Sequence, residues 1–118
     1  MSNFTKVLAI VLSLISGCAV ADDVAFMSVE KYLHLKKTAP EVVDTYLSGV
    51  LTAYTLSNAM LERNKQKKLY CSDSLITSAG LQNFIDSFVG KDLGIPGEAK
   101  ADIAAFALAV LTDVYRCK

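Results

Sequence analysis

Beyond residue 28 apolar side chains recur at α-helical spacing almost without interruption, and this periodicity restricts the chain to a helical fold. Leu81, Phe84, Ile85, Phe88 and Val89 fall at i, i+3, i+4, i+7 and i+8, one face of an amphipathic helix starting near Thr77 or Ser78. A longer helix begins at Pro40, a residue suited to a first turn, with Glu41 and Asp44 near its positive end. Val43, Tyr46, Leu47, Val50, Tyr54 and Leu61 form its stripe. Gly49 in the middle of that helix costs about 1 kcal/mol relative to alanine and predicts the close approach of another helix.

Ahead of it, "VEKYLHLKK" reads as a short first helix capped by Ser28 and broken at Ala39-Pro40. "ERNKQKK" makes a polar exit whose basic residues complement the negative end of the long helix. Gly90 and "LGIPG" end the third helix. From Pro96 the last helix places Ile103, Phe106, Ala107, Val110, Leu111 and Val114 on one face. Few residues favour a strand, and no Asn-Gly or Asp-Gly hairpin turn is present. The expected fold is all-α, a single small bundle of about four helices.

The N-terminus reads as an export signal. Met1 to Lys6 carries one positive charge, Val7 to Ile15 is apolar except for Ser13, and Ala19-Val20-Ala21 precedes two aspartates. The apolar run is far too short for a permanent membrane span. Residues 1–21 are therefore expected to be a signal peptide and 22–118 the mature domain, delivered to the periplasm. A second reading stays open. Ile15-Ser16-Gly17-Cys18 has the order of a lipoprotein signal, in which residues 1–17 are removed and lipidation of Cys18 anchors the product to a membrane. Cleavage after Ala21 is preferred because helical sequence resumes by Ser28 and leaves little room for a tether.

Either cut decides the pairing of cysteines. Of the three in the chain, only Cys71 and Cys117 remain as thiols once Cys18 is removed or acylated. Outside the cytoplasm two such thiols default to one disulfide. It would tie the start of the third-helix segment to the end of the last helix. Closing a loop of that length contributes about 4 kcal/mol in the chain-entropy model.

The chain's 118 residues leave no room for a second core. Its 12 basic and 12 acidic residues balance, and losing Lys6 with the leader makes the mature chain negative by one unit. That gives no support to nucleic acid or an anionic membrane as the main partner. Catalytic chemistry is equally thin. His34 is the single histidine, so a multi-histidine metal site or a Ser-His-Asp triad lacks parts. Cys71 or Cys117 could act as a nucleophile only if reduced. Asp86 and Asp102 lie beside apolar faces without a recognisable acid–base spacing, and a spatial pairing of carboxylates stays open. Gly94 and Gly97 match no phosphate loop.

The run "RNKQKK" reads as a solvated helix exit, with an electrostatic contact for an acidic partner as the alternative. Tyr46 and Tyr54, two turns apart, read as core packing, with an aromatic recognition strip as the alternative. By elimination the expectation is a binding protein, not an enzyme, without cofactor or metal.

Three segments carry a family resemblance: "YLSGV" from Tyr46 to Val50, "LYCSDSLITSAGLQNFIDSFV" from Leu69 to Val89, and "FALAVLTDVYRC" from Phe106 to Cys117. In this order they resemble the Rap/Tai family of type VI secretion immunity proteins. Those are small exported helical proteins with a Tyr-x-x-Gly-Val helix, a cysteine before the next helix and a terminal Phe/Tyr-Pro-Cys. "AFMSVEKYL" is similar to the family's start. The chain departs from the pattern in lacking a second cysteine pair, with Val43 at one of its positions. Arg116 replaces the proline before the last cysteine, and no proline follows Cys71.

The resemblance implies neutralisation by binding. The expected partner is a secreted peptidoglycan hydrolase, often an amidase, whose active-site cleft the immunity protein blocks in the periplasm. The resemblance assigns no partner-binding residues. A periplasmic acid-stress chaperone of the HdeA type and a structural envelope lipoprotein remain alternatives, and a homodimer remains open.

Overall fold

The structure is a computed structural model that describes residues 26–91 and 97–118. Four α-helices follow one another: α1 (Val29–Thr38), α2 (Pro40–Arg63), α3 (Ser78–Phe88) and α4 (Ile103–Val114). A short 3-10 turn, Glu98–Lys100, precedes α4. The expected all-α bundle is the fold, and no described helix is long and apolar enough to cross a membrane. The leader and Cys18 lie outside the described residues.

Three of the four helices start at a side-chain cap, and α2 starts at Pro40 instead. Ser28 Oγ accepts the amide of Lys31 at 3.1 Å, and Thr77 Oγ1 accepts that of Gly80 at 3.1 Å. Ala39, outside the helical region as the residue before proline is disposed to be, separates α1 from α2 without a loop. At the far end of α2 the Gln66 amide donates to the Leu61 carbonyl at 2.8 Å and the Lys65 amide to the Glu62 carbonyl at 3.0 Å. This is a Schellman ending with Lys65, φ 57°, in the left-handed place usually taken by glycine.

The last helix begins at Ile103, not at Pro96 as the sequence suggested. Backbone near residue 101 is diverted to the N-terminal segment. Val29 donates to the Ala101 carbonyl at 2.9 Å, and Ile103 donates to the Met27 carbonyl at 2.7 Å. A helix running through this point would need the Ala101 carbonyl for itself. Asp102 then caps α4, its Oδ1 accepting the Ala104 amide at 2.8 Å.

The core lies between the helices and is built from the expected faces of α3 and α4, with Tyr32, Leu47, Leu81, Ile85, Phe106 and Leu111 among its fully buried side chains. On α2 the stripe is set slightly differently. Val43, Leu47 and Leu51 are buried, with Tyr46 and Tyr54 packed at the margin. Val50 and Leu61 remain half-buried. No buried side-chain nitrogen or oxygen lacks a hydrogen-bond partner among the described residues.

Candidate interaction surface

Cys71 and Cys117 form the expected disulfide, with Cα atoms 5.0 Å apart. Its neighbourhood is clamped by more than the sulfurs. The Cys71 amide donates to the Tyr115 carbonyl at 2.7 Å. From α2, Asn58 Oδ1 accepts the Leu69 amide at 2.7 Å while its Nδ2 donates to the Tyr70 carbonyl at 3.1 Å. Tyr70 is buried. The backbone of residues 69–71 is thus fixed on both sides.

The next residues rise from this anchor and return to α3. Ser72 Oγ accepts the Ser74 amide and donates to the Ser74 carbonyl at 2.7 Å, a local turn of the kind short hydroxyl side chains favour. Ile76 packs against the core, and Thr77 begins α3. Between these fixed points Leu75 stands 84% exposed, the most exposed large apolar side chain described. Two recesses border it. One of about 250 Å³ is lined by Asn58, Ala59, Glu62, Lys68 and Tyr70. The other, about 350 Å³, is lined by Ser48, Thr52, Leu56, Ile76 and Thr77. Leu75 borders both.

Of the basic exit, Lys68 borders the same recess as this knob. Arg63, Lys65 and Lys67 are exposed, and Lys68 lines the smaller recess. An apolar projection bordered by two hollows, with charge of both signs at its rim from Lys68 and Glu62, suits a concave protein partner.

Residues left open as possible chemistry have structural roles. Asp86 accepts a 2.8 Å hydrogen bond from the Tyr32 hydroxyl and forms an ion pair with Lys36. Asp102 caps α4. The two carboxylates therefore belong to different contacts. His34 is an exposed residue of α1. Among the described residues no three His, Cys, Asp or Glu side chains gather closely enough to hold a metal ion.

Tyr46 and Tyr54 face inward. The Tyr54 hydroxyl donates to the Ala104 carbonyl at 2.6 Å. Burial, and then the nearby Asp102 carboxylate, push both phenols above their ordinary range. Core packing is their place, not a recognition strip.

Gly49 corrects an expectation. Among the described residues nothing lies within 4 Å of a Cβ built on it, so no described helix packs closely there. Leu75 and Asn58 were missed by sequence reasoning. A Leu-Ile pair in a short segment between helices carries no periodic signal, and an asparagine in the last turns of a helix is ordinarily solvated.

No family model, curated protein or solved structure matches the chain.

Proposed function

We propose that the mature chain is a periplasmic immunity protein that binds and neutralises a cell-wall-degrading type VI secretion effector of the amidase kind, without chemistry of its own. The observation that carries this reading is Leu75, held outward at 84% exposure on a segment fixed by the disulfide, Asn58 and the Thr77 cap. Leaving a large apolar side chain in water has no folding benefit. A knob already fixed in its bound shape loses little entropy on docking, which favours affinity for a cleft. The resemblance to the Rap/Tai immunity proteins supplies the class of partner. The leader motif supports delivery to the compartment where such an effector acts.

The test uses the mature protein and the hydrolase encoded beside its gene. Peptidoglycan cleavage at neutral pH should be inhibited by a stoichiometric amount of the protein. Leu75→Asp should abolish inhibition while leaving the circular dichroism spectrum and Tm unchanged. Absence of inhibition by the wild-type protein, together with broad suppression of client aggregation at low pH, would overturn the immunity reading in favour of the chaperone.

A further inference from the structure

We propose that a groove between the outward side of α4 and residues 67–69 binds a small amphiphile with one aliphatic tail and an anionic head, of the fatty-acid carboxylate kind. The groove has a volume of about 730 Å³, larger than either recess beside Leu75, and shares no lining residue with them. That volume falls within the range of small-molecule sites.

Its floor is apolar for a reason visible in the helix. The core side of α4 carries Ile103, Phe106, Ala107, Val110 and Leu111. Ala105, Leu108, Ala109 and Thr112 fall at i, i+3, i+4 and i+7, a second stripe outside the core, and all four line the groove. From Ile103 to Thr112 there is no charged residue, so this stretch offers water no polar face. Thr112 adds little polarity, because its hydroxyl donates to the Leu108 carbonyl at 2.7 Å. Leu69 supplies apolar surface from the other wall. The two alanines leave open the space that larger side chains would fill. At helical rise the stripe is about 10 Å long, enough for a short aliphatic tail. Covering it removes apolar surface of both partners from water.

Charge gathers at one end of this trough and selects the head group. The Cys117 sulfur lies 3.9 Å from the Lys68 carbonyl oxygen, which sets residues 67–69 beside the C-terminal end of α4. Lys67, Asp113 and Arg116 line the groove there. Arg116 and Asp113 satisfy one another in a 2.8 Å ion pair. Lys67 is exposed and forms no ion pair among the described residues, which leaves one uncompensated cation at the mouth. An anionic head beside Lys67 would lay its tail over Leu108 and Ala109 toward Ala105. A cationic head would meet Lys67 as a like charge, and a neutral one would gain nothing from it.

Titration of the isotope-labelled mature protein with decanoate, kept below its micelle concentration and followed by amide NMR, tests this without any effector. Saturable shifts confined to residues 67–69 and 105–117 are expected. Decanol and decyltrimethylammonium, which keep the tail and change the head, should bind severalfold more weakly. Lys67→Glu should weaken decanoate severalfold and leave decanol unchanged. Ala105→Glu should abolish decanoate binding with unchanged Tm, because residue 105 is exposed in the first turn of α4, where a carboxylate suits the helix. Shifts that never saturate, or that scatter over the surface, would overturn the proposal. So would equal affinity for decanol, or decanoate binding that survives Ala105→Glu. The protein should not sediment with phosphatidylglycerol vesicles; sedimentation lost in Ala105→Glu would make this face a membrane contact and overturn the site. Ala105→Glu should leave hydrolase inhibition intact and Leu75→Asp should leave decanoate binding intact, so failure of either reading is seen apart from the other.

Discussion

The hydroxyl of Tyr32 donates a 2.8 Å hydrogen bond to Asp86 Oδ1, joining α1 to α3 from within the core. The Tyr32 ring is fully buried, and the Lys36 ammonium, ion-paired with Asp86, sits 5.6 Å from the ring centroid. Apolar packing, a hydrogen bond and a cation over the ring converge on one residue. Tyr32→Phe keeps the ring and removes only the hydroxyl. The expected loss is about 1 kcal/mol, measured by urea unfolding at neutral pH with an unchanged m value.

The same residue makes stability depend on pH at the alkaline end. Burial, and then the hydrogen bond to Asp86, hold the Tyr32 phenol far above its ordinary pKa of 10.0. Burial also raises Tyr46, Tyr54 and Tyr70. The unfolded chain ionises these phenols near pH 10, while the folded chain keeps them neutral. The contribution is therefore complete below pH 10 and is lost as pH rises beyond it, by up to about 1.4 kcal/mol per pH unit for each such tyrosine. Absorbance near 295 nm should show their phenolates appearing together with loss of helicity. Ionisation of all of them in a chain that stays helical would contradict the burial described.

How much of this was legible in the sequence follows from what each feature depends on. The α3 and α4 faces were readable because periodicity is local and the core side is the apolar side. The disulfide was readable because the expected loss or acylation of Cys18 leaves two thiols, which default to one bond in an exported chain. The start of α4 was not, because it depends on the Ala101 carbonyl meeting Val29 from a distant segment. Gly49 was read as a close contact, and only the neighbours brought by folding show that the space beside it is open. The knob at Leu75 was hidden for a related reason. Its exposure is set by anchors at Asn58, Cys117 and Thr77, scattered across the chain.

The disulfide should contribute several kcal/mol. Cys71 and Cys117 are 46 residues apart, a loop whose closure in the unfolded chain implies about 4 kcal/mol. Non-reducing peptide mapping of the protein isolated without reductant should recover the two cysteines in one linked pair. The double variant Cys71→Ser, Cys117→Ser should lower unfolding free energy by roughly 2–5 kcal/mol. Because residue 71 anchors the segment carrying Leu75, inhibition should weaken beyond the fraction unfolded. A fully stable double variant with unchanged inhibition would show that the Asn58 clamp suffices.

Two positions on α2 should gain stability on substitution. Gly49 is helical, exposed and has open space where a Cβ would stand, so Gly49→Ala should add about 1 kcal/mol in dilute solution. Lys65 occupies the left-handed ending of the helix, where glycine meets no Cβ penalty. Lys65→Gly should raise stability by up to about 1 kcal/mol, less the entropy that glycine adds to the unfolded chain. Thermal unfolding of the two single variants and the double should give nearly additive gains, since the sites lie at separate turns of the helix. A loss at Lys65→Gly would mean that its side chain contributes more than its backbone strain removes.

Processing of the leader determines where all of this operates. Ala19-Val20-Ala21 ahead of Asp22 and Asp23 favours cleavage after Ala21, whereas Ile15-Ser16-Gly17-Cys18 offers a lipoprotein signal a few residues earlier. Only one of the two cuts leaves Cys18 in the product. Mass spectrometry of the protein from the exporting cell should show Asp22 at the N-terminus with no acyl chain. Cys18→Ser should then change neither the yield nor the partition into the soluble periplasmic fraction. An acylated Cys18, with release from membranes on Cys18→Ser, would place the same helical domain on a membrane surface. In that case residues 19–27 alone would separate the anchor from the cap of α1 at Ser28. Fully extended, they reach about 30 Å, so the domain would be confined to a thin layer beside the bilayer.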